Sequence, residues 1–155
     1  MSREGLSFLC AAAQKIMAET PEAAMREKIA AFVDYAVSVA GGTVDEHASA
    51  DPSALPWTRF RDGVDIIALG TAPGGEAAAL LRYVAQGAVP HHSHPGNEHI
   101  LILDGSQTDQ RGHYPRGALV HNTPGSSHSV VSSAGCLVAI VWEKPIIFSP
   151  ENHPA

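Results

Sequence analysis

Three imidazoles and one carboxylate, His92, His94, Glu98 and His128, have the types and the spacing to hold one divalent metal ion. They stand in His92-Ser93-His94-Pro95-Gly96-Asn97-Glu98 and, further on, in Pro124-Gly125-Ser126-Ser127-His128. Seven of the nine histidines fall between His91 and His128, so the chemistry is concentrated in one stretch. Alternate side chains of an extended strand share a face, and His92 and His94 therefore point the same way. Glu98 keeps that parity across the Pro95-Gly96-Asn97 turn, and Ile100 and Ile102 continue it as an apolar inner side. Asp104-Gly105 reads as the turn that closes this strand. His128 follows a second Pro-Gly turn and leads into Val130 and Val131, which makes it a fourth ligand from a separate hairpin. By the same parity His91 faces outward, and His99 falls on the outer face or just around the ligands. His113 and His121 take hydrogen-bonding or surface roles.

Mixed imidazole and carboxylate donors suit Zn(II), Fe(II), Mn(II) or Ni(II), with zinc and iron foremost, and the side chains alone do not choose among them. Four protein donors leave one or two positions open for water, a bidentate enolate or catecholate-like molecule, or O₂. Iron there would favour dioxygenase-type oxidation, and zinc would act as a Lewis acid in an isomerisation, cyclisation or hydrolysis. Arg82 is the candidate for binding an anionic substrate group if it points inward with Leu80 and Val84. The competing reading is an outward strand residue with a packed aliphatic stem.

These ligands need a scaffold, and the chain has the means to build one. It has 155 residues, 45% of them hydrophobic, enough for one globular domain with an appendage. Its formal net charge of −6 offers no basic patch for phosphates, which argues against nucleic-acid binding. Cys10 and Cys136 form no C-x-x-C pair and no disulfide framework, which fits a reducing cytoplasm. There is no apolar run of membrane-spanning length and no signal-peptide pattern. The expectation is a soluble cytoplasmic protein.

The first fifty residues differ in texture from the rest. Leu6, Leu9, Ala13, Ile16 and Met17 recur at helical spacing, as do Met25, Ile29, Phe32, Val33 and Val37. Thr20-Pro21-Glu22 reads as the start of the second helix, with a capping hydroxyl and proline at the first helical position, and Gly41-Gly42 as its end. The apolar stripes of this hairpin are expected to pack on each other and on the rest of the chain. Thr43 to Pro56 reads as a linker. After Pro56 the pattern becomes short strands between turns: Val64–Leu69, Ala77–Val84, His99–Leu103, Gly117–Val120, Ser129–Ser132 and Leu137–Trp142. Such punctuation predicts a closed or sandwich-like antiparallel β fold, and no glycine-rich segment precedes a helix as a phosphate loop would.

His92-x-His94-x-x-x-Glu98 with Gly105 resembles the first cupin motif, and Pro124 to His128 resembles the second. More narrowly, about Trp57 to Phe148 is similar to the cupin domain of the ChrR type, first described in anti-sigma factors. Leu81-Arg82-Tyr83, His92 to Gly105, Asp109 to Gly117, Asn122 to His128 and Gly135-Cys136 carry the likeness. The resemblance implies a mainly β protein, an RmlC-like cupin jelly-roll β-barrel (double-stranded β-helix) over residues 51–150. An N-terminal helical hairpin with linker, residues 1–50, would precede it. It implies metal on His92, His94, Glu98 and His128, a small-molecule ligand, and pairing as a homodimer. The chain departs from the family in having His99 where a second acid is usual and Gln86 where proline is usual. The loop from Gly87 to His92 is also one residue short. The anti-sigma members hold their sigma factor with an N-terminal zinc cluster of His and Cys; here residues 1–50 contain only Cys10 and His47, so sigma-factor binding is not carried over. Two functions follow: a mononuclear metal enzyme acting on a small oxygenated organic molecule or, as the alternative, a ChrR-like sensory or regulatory metal-binding module.

Overall fold

Helical spacing of apolar residues produces two helices at the start of the chain. In a computed structural model, which describes residues 3–42 and 51–150, they are α1 (Arg3–Ala18) and α2 (Ala23–Ala40). Residues 43–50, where the expected boundary and most of the expected linker fall, lie outside the described residues. The remainder of that linker contains one 3₁₀ turn, Pro52–Ala54, where the Ser53 N–H donates to the Asp51 carboxylate. Neither helix is long and apolar enough to cross a membrane.

The start of α2 differs from the sequence expectation. Glu22, not Thr20, takes the capping position, and its side chain makes no capping bond. The Thr20 hydroxyl instead donates back to the Ile16 carbonyl at 2.7 Å, serving the open end of α1. The Arg26 guanidinium ties the corner by donating to the Thr20 and Pro21 carbonyls. At the far end Gly41 (φ 65°) donates to the Val37 and Ser38 carbonyls, in the left-handed conformation that glycine adopts at least cost.

The rest of the chain is one curled antiparallel sheet. Its strands are β1 (Thr58–Arg61), β2 (Val64–Thr71), β3 (Ala77–Tyr83), β4 (Gly87–Ser93), β5 (Glu98–Asp109), β6 (Gly112–Pro115), β7 (Leu119–Asn122), β8 (Ser127–Ser132), β9 (Cys136–Trp142) and β10 (Ile147–Phe148). The hydrogen-bonded order is β1-β2-β3-β9-β5-β8-β4-β10, with β6 and β7 also paired to β5. This is the mainly β, jelly-roll-like architecture expected, with two helices before it.

Alternation divides the strands into two apolar faces. Ala78, Leu80, Leu101, Leu103, Ala139 and Val141 face outward and are covered by Leu6, Leu9, Ala13, Ile29 and Phe32 of the helices. Leu81, Ile100, Ile102, Val130, Val138 and Ile140 face inward and fill the curl. The helix carbonyl of Ala40 comes so close to Gly70 of β2 that a side chain there would collide with it.

Asp104-Gly105 does not end its strand. β5 runs on to Asp109, and its register shifts between Ile102 and Asp104. Gly105 takes φ 71° at this bulge, and a Cβ there would meet the Gly135 carbonyl and Cys136. The bulge bends β5 out of its pairing with β7 and β9 and into pairing with β6 and β8. One strand thus joins the two halves of the sheet and produces the curl. Gly105→Ala is expected to lower stability by about 2 kcal/mol or more, combining left-handed strain with a backbone collision. The check is the urea-denaturation midpoint, and an unmoved midpoint would show that the bend tolerates a side chain.

Candidate metal centre

The four predicted donors meet inside the curl. His92 lies on β4 in register with His128 of β8, His94 follows directly after β4, and Glu98 opens β5. All four are buried, and one donor atom from each lies within 4.8 Å of the others. His94 Nε2 is 3.2 Å, and His128 Nε2 4.0 Å, from Glu98 Oε1. Two backbone bonds hold the two contributing loops together: His94 N–H donates to the Ser126 carbonyl at 2.9 Å, and Gly125 N–H to the His94 carbonyl at 2.8 Å.

Hydrogen bonds behind each ring decide which nitrogen faces the centre. His92 Nδ1–H donates to the Pro90 carbonyl at 2.8 Å and His128 Nδ1–H to Asp109 Oδ2 at 2.9 Å. The Ser126 hydroxyl donates to the Thr123 carbonyl, so the 3.0 Å contact with His94 Nδ1 must be donated by the ring. This network assigns the Nδ1–H tautomer to all three and turns three Nε2 lone pairs inward. Burial holds His92 below the ordinary imidazole pKa, which keeps its lone pair free at neutral pH.

The carboxylates are fixed with equal care. Glu98 Oε1 accepts from Asn122 Nδ2 at 2.8 Å and Oε2 from Trp142 Nε1 at 2.6 Å. Burial raises the Glu98 pKa, but positive charge on the facing His94 ring, when a proton sits there, and the Asn122 bond outweigh it and leave the group below its usual value. Asp109 accepts from His128, the Arg111 and Gly112 amides and the Tyr114 hydroxyl. These bonds likewise override its burial, and it stays ionised behind His128. The Arg111 guanidinium donates to Asn122 Oδ1, so it supports Glu98 through that amide.

A divalent cation fits this set. His94 Nε2 and His128 Nε2 are buried and have no hydrogen-bond partner. Lone pairs of imidazole and carboxylate facing one another repel, and a buried acceptor without a partner costs about 1–3 kcal/mol. One shared cation at donor distances of about 2.0–2.2 Å removes both penalties.

Arg82 is not brought to this cluster. It has the parity of Leu80, which faces the helices, while Leu81 and Tyr83 face the interior. Its guanidinium pairs with Asp65 at 2.8 Å and lies over the Trp57 ring at 4.5 Å. The outlying histidines also stay away from the donors. His91 is exposed and bonded to Ser149, and His113 meets Thr108. His99 stacks on His121 with centroids 4.5 Å apart, and His121 Nε2 contacts Asn97 Oδ1.

Sequence reasoning missed Asp109, Asn122, Trp142 and Ser126 as supports. Asp109 was hidden because the bulge at Gly105 reverses the parity of β5: Glu98, Ile100 and Ile102 face inward, and so then do Gln107 and Asp109. Trp142 was within reach, since it continues the inward alternation of Val138 and Ile140 and a buried indole N–H needs an acceptor. On the interior side of the donors lies a cavity of about 20 Å³, bounded by Leu81, Tyr83, Ile100, Gln107, Val130 and Ile140. It has room for one water-sized group.

The ChrR cupin-like domain family matches residues 45–145. The chain belongs to that family. No curated protein sequence matches this cupin. Among solved structures, a chain of the Rhodobacter sphaeroides complex of SigE with the anti-sigma ChrR superposes with TM-score 0.59 at 19% identity, over 92% of this chain and 97% of that one. An acetylacetone dioxygenase from Acinetobacter johnsonii gives TM-score 0.60 at 14% identity, over 72% and 82% of the two chains. The polyketide cyclase RemF from Streptomyces resistomycificus gives 0.55 at 15% identity, over 68% and 87%. At these identities the likeness is one of fold.

Replacing His94 or His128 by alanine is expected to abolish stoichiometric metal binding while the far-UV circular dichroism of the barrel persists. Asp109→Asn should weaken binding by roughly 10–100-fold through loss of the carboxylate behind His128. In the wild type, acidification should release the ion as protons compete for the imidazoles, and the lowered pKa of His92 places its protonation below the ordinary imidazole value. A chromophoric chelator titration reads all three, and full occupancy in both alanine variants would overturn the assignment.

Proposed function

We propose that this chain is a mononuclear metal enzyme acting on a small oxygenated organic molecule, its ion held by His92, His94, Glu98 and His128. The observation that carries the reading is the pair of buried, unpartnered imidazole nitrogens facing Glu98 beside a cavity sized for one further group. A bound divalent ion would polarise an oxygen of the substrate as a Lewis acid or, as iron, support oxidation by O₂.

The chain's own residues set the conditions for that chemistry. Pro90, Ser126 and Asp109 fix the three rings, so no reorganisation of the donors is required when a ligand arrives. Leu81, Ile100, Val130 and Ile140 exclude bulk water from the interior side. Burial pushes the Tyr83 phenol well above its usual pKa, so it lines the cavity as a neutral hydroxyl beside Gln107. Cys136, its thiol pushed up to about 11 by burial, is an inert member of the inner apolar cluster. Glu98 contributes one negative charge, so a divalent ion here would retain one unit of positive charge, which favours a singly charged oxygen donor. The fold likeness to a dioxygenase and a cyclase supports the same class of chemistry.

A second reading is a ChrR-like regulatory module. It is favoured by the breadth of the match to the SigE–ChrR structure, which at 92% of the chain includes more than the β-rich part. Among the described residues, however, no second cluster of three or more metal-ligating side chains accompanies the central one.

The test loads the full chain with Fe(II) or Zn(II) and follows O₂ uptake and products with 1,3-diketones and catechols. Turnover that requires the ion and disappears in His128→Ala is the expected result. A metal-loaded protein that neither turns over nor changes spectrum with any of these, yet co-purifies with a sigma factor, would overturn the enzymatic reading.

A further inference from the structure

The path of paired strands ends at β1 and β10, and no backbone pairing joins these two among the described residues. Side chains alone close this seam. Phe60 of β1 packs against Phe148 of β10 with ring centroids 6.4 Å apart, and the Arg61 guanidinium lies 4.2 Å over the Phe148 ring. Outside the seam is a groove of about 260 Å³, formed by Phe60, Ala77, Trp142, Lys144, Ile146 and Phe148. Inside it is the small cavity beside the metal donors. Phe60, Trp142 and Ile146 line both spaces, so these three side chains are the partition between them.

Elsewhere along the path from β1 to β10, neighbouring strands are held together by backbone bonds. At the ligand end, two hydrogen bonds between His94 and the Gly125-Ser126 loop continue the pairing of β4 with β8. At the opposite end, Gln86 N–H bonds to the Ser132 and Ser133 carbonyls, and Gly87 N–H to the Val84 carbonyl. Neighbouring strands on that path share backbone pairing, which between β5 and β8 is the single pair Thr108↔Val131. Opening the seam requires only rotation of apolar side chains, whereas parting two paired strands breaks backbone hydrogen bonds.

We propose that the seam between β1 and β10 is the entrance to the metal centre, gated by Phe60 and Ile146. We further propose that it admits a small apolar molecule bearing one anionic oxygen, an enolate or a phenolate. This rests on the reading of His92, His94, Glu98 and His128 as a metal site. Two observations define the ligand class. The groove is apolar except for Lys144, so it accepts a hydrocarbon body and favours a single negative charge. The donor set leaves one positive charge on a divalent ion, and one anionic oxygen neutralises it. Trp142 cannot serve as a moving part, because its indole N–H is held by Glu98. Phe60 and Ile146 have no such tether.

The experiment uses the full chain loaded with Co(II), whose visible spectrum reports ligation, and stopped-flow mixing with azide or with 4-nitrocatechol near neutral pH. Azide is small enough to pass a closed gate, and nitrocatechol is not. Phe60→Ala and Ile146→Ala are each expected to speed nitrocatechol association by about tenfold while changing azide association little. Phe60→Trp is expected to slow nitrocatechol alone. Should Phe60→Ala fail to fold, Ile146→Ala, which lies outside the strands, carries the same test. Failure of cobalt to bind overturns the metal reading and the gate with it. If cobalt binds and azide perturbs it, equal nitrocatechol rates in all variants overturn the gate alone. Azide binding with no nitrocatechol binding even in the alanine variants overturns the ligand class.

Discussion

Three imidazole nitrogens and a carboxylate oxygen turned toward one another in an apolar interior are an electrostatic problem before they are a functional site. Each is an acceptor, each has lost its water, and two of the nitrogens have no protein partner. Burying such groups is tolerable only when a cation or a proton sits among them. Most of the polar detail in the β-rich half prevents the alternative solution, in which the rings would rotate and satisfy themselves locally. Pro90, Ser126 and Asp109 occupy the Nδ1 positions, and Asn122 and Trp142 occupy the carboxylate lone pairs that face away from the centre. Only the inward lone pairs are left.

The topology that achieves this depends on one bent strand. β5 carries Glu98 at its start and Asp109 at its end. The first is a donor, and the second orients a donor on β8. For one strand to serve both, it must cross from one half of the sheet to the other and keep both side chains pointing inward. A straight strand of regular alternation cannot do so, because positions eleven residues apart fall on opposite faces. The bulge at Gly105 supplies the bend and the change of parity together. Fold and site are therefore set by the same bend, in which Leu103 is the extra residue and Gly105 takes the left-handed turn that follows.

This also explains what could be read from the residues and what could not. His92, His94 and Glu98 lie before the bulge, where period-two alternation holds, and His128 is followed by its own alternating run. Their convergence was legible. Asp109 and Gln107 lie beyond the bulge, where simple alternation gives the wrong face. β1, β6 and β10 were not foreseen because four residues such as Thr58-Arg59-Phe60-Arg61, or two such as Ile147-Phe148, carry too little pattern. The start of β4 was obscured by Pro90, which sits at a register shift where no ladder N–H is required. Thr20 has the chemistry of a cap for the following helix, but the carbonyl of Ile16 was nearer. Arg82 has a charge suited to substrate binding, yet its strand position gives it to Asp65 and Trp57 on the outer face.

The helical hairpin decides how much apolar surface the sheet leaves open. The apolar stripes of α1 and α2, through Leu6, Leu9, Ala13, Ile16, Ile29 and Phe32, are already buried against the outer face of the sheet. A stable protein partner is usually held by an interface with a dehydrated apolar centre. Among the described residues, the large hydrophobic side chains left exposed are Val84 and Ile147. They do not lie on the hairpin, and Ile147 belongs to β10 at the seam. The apolar surface still open to solvent is thus concentrated in grooves, one of which shares three side chains with the wall of the metal-side cavity. Groove and metal-side cavity are two faces of the same three side chains, Phe60, Trp142 and Ile146.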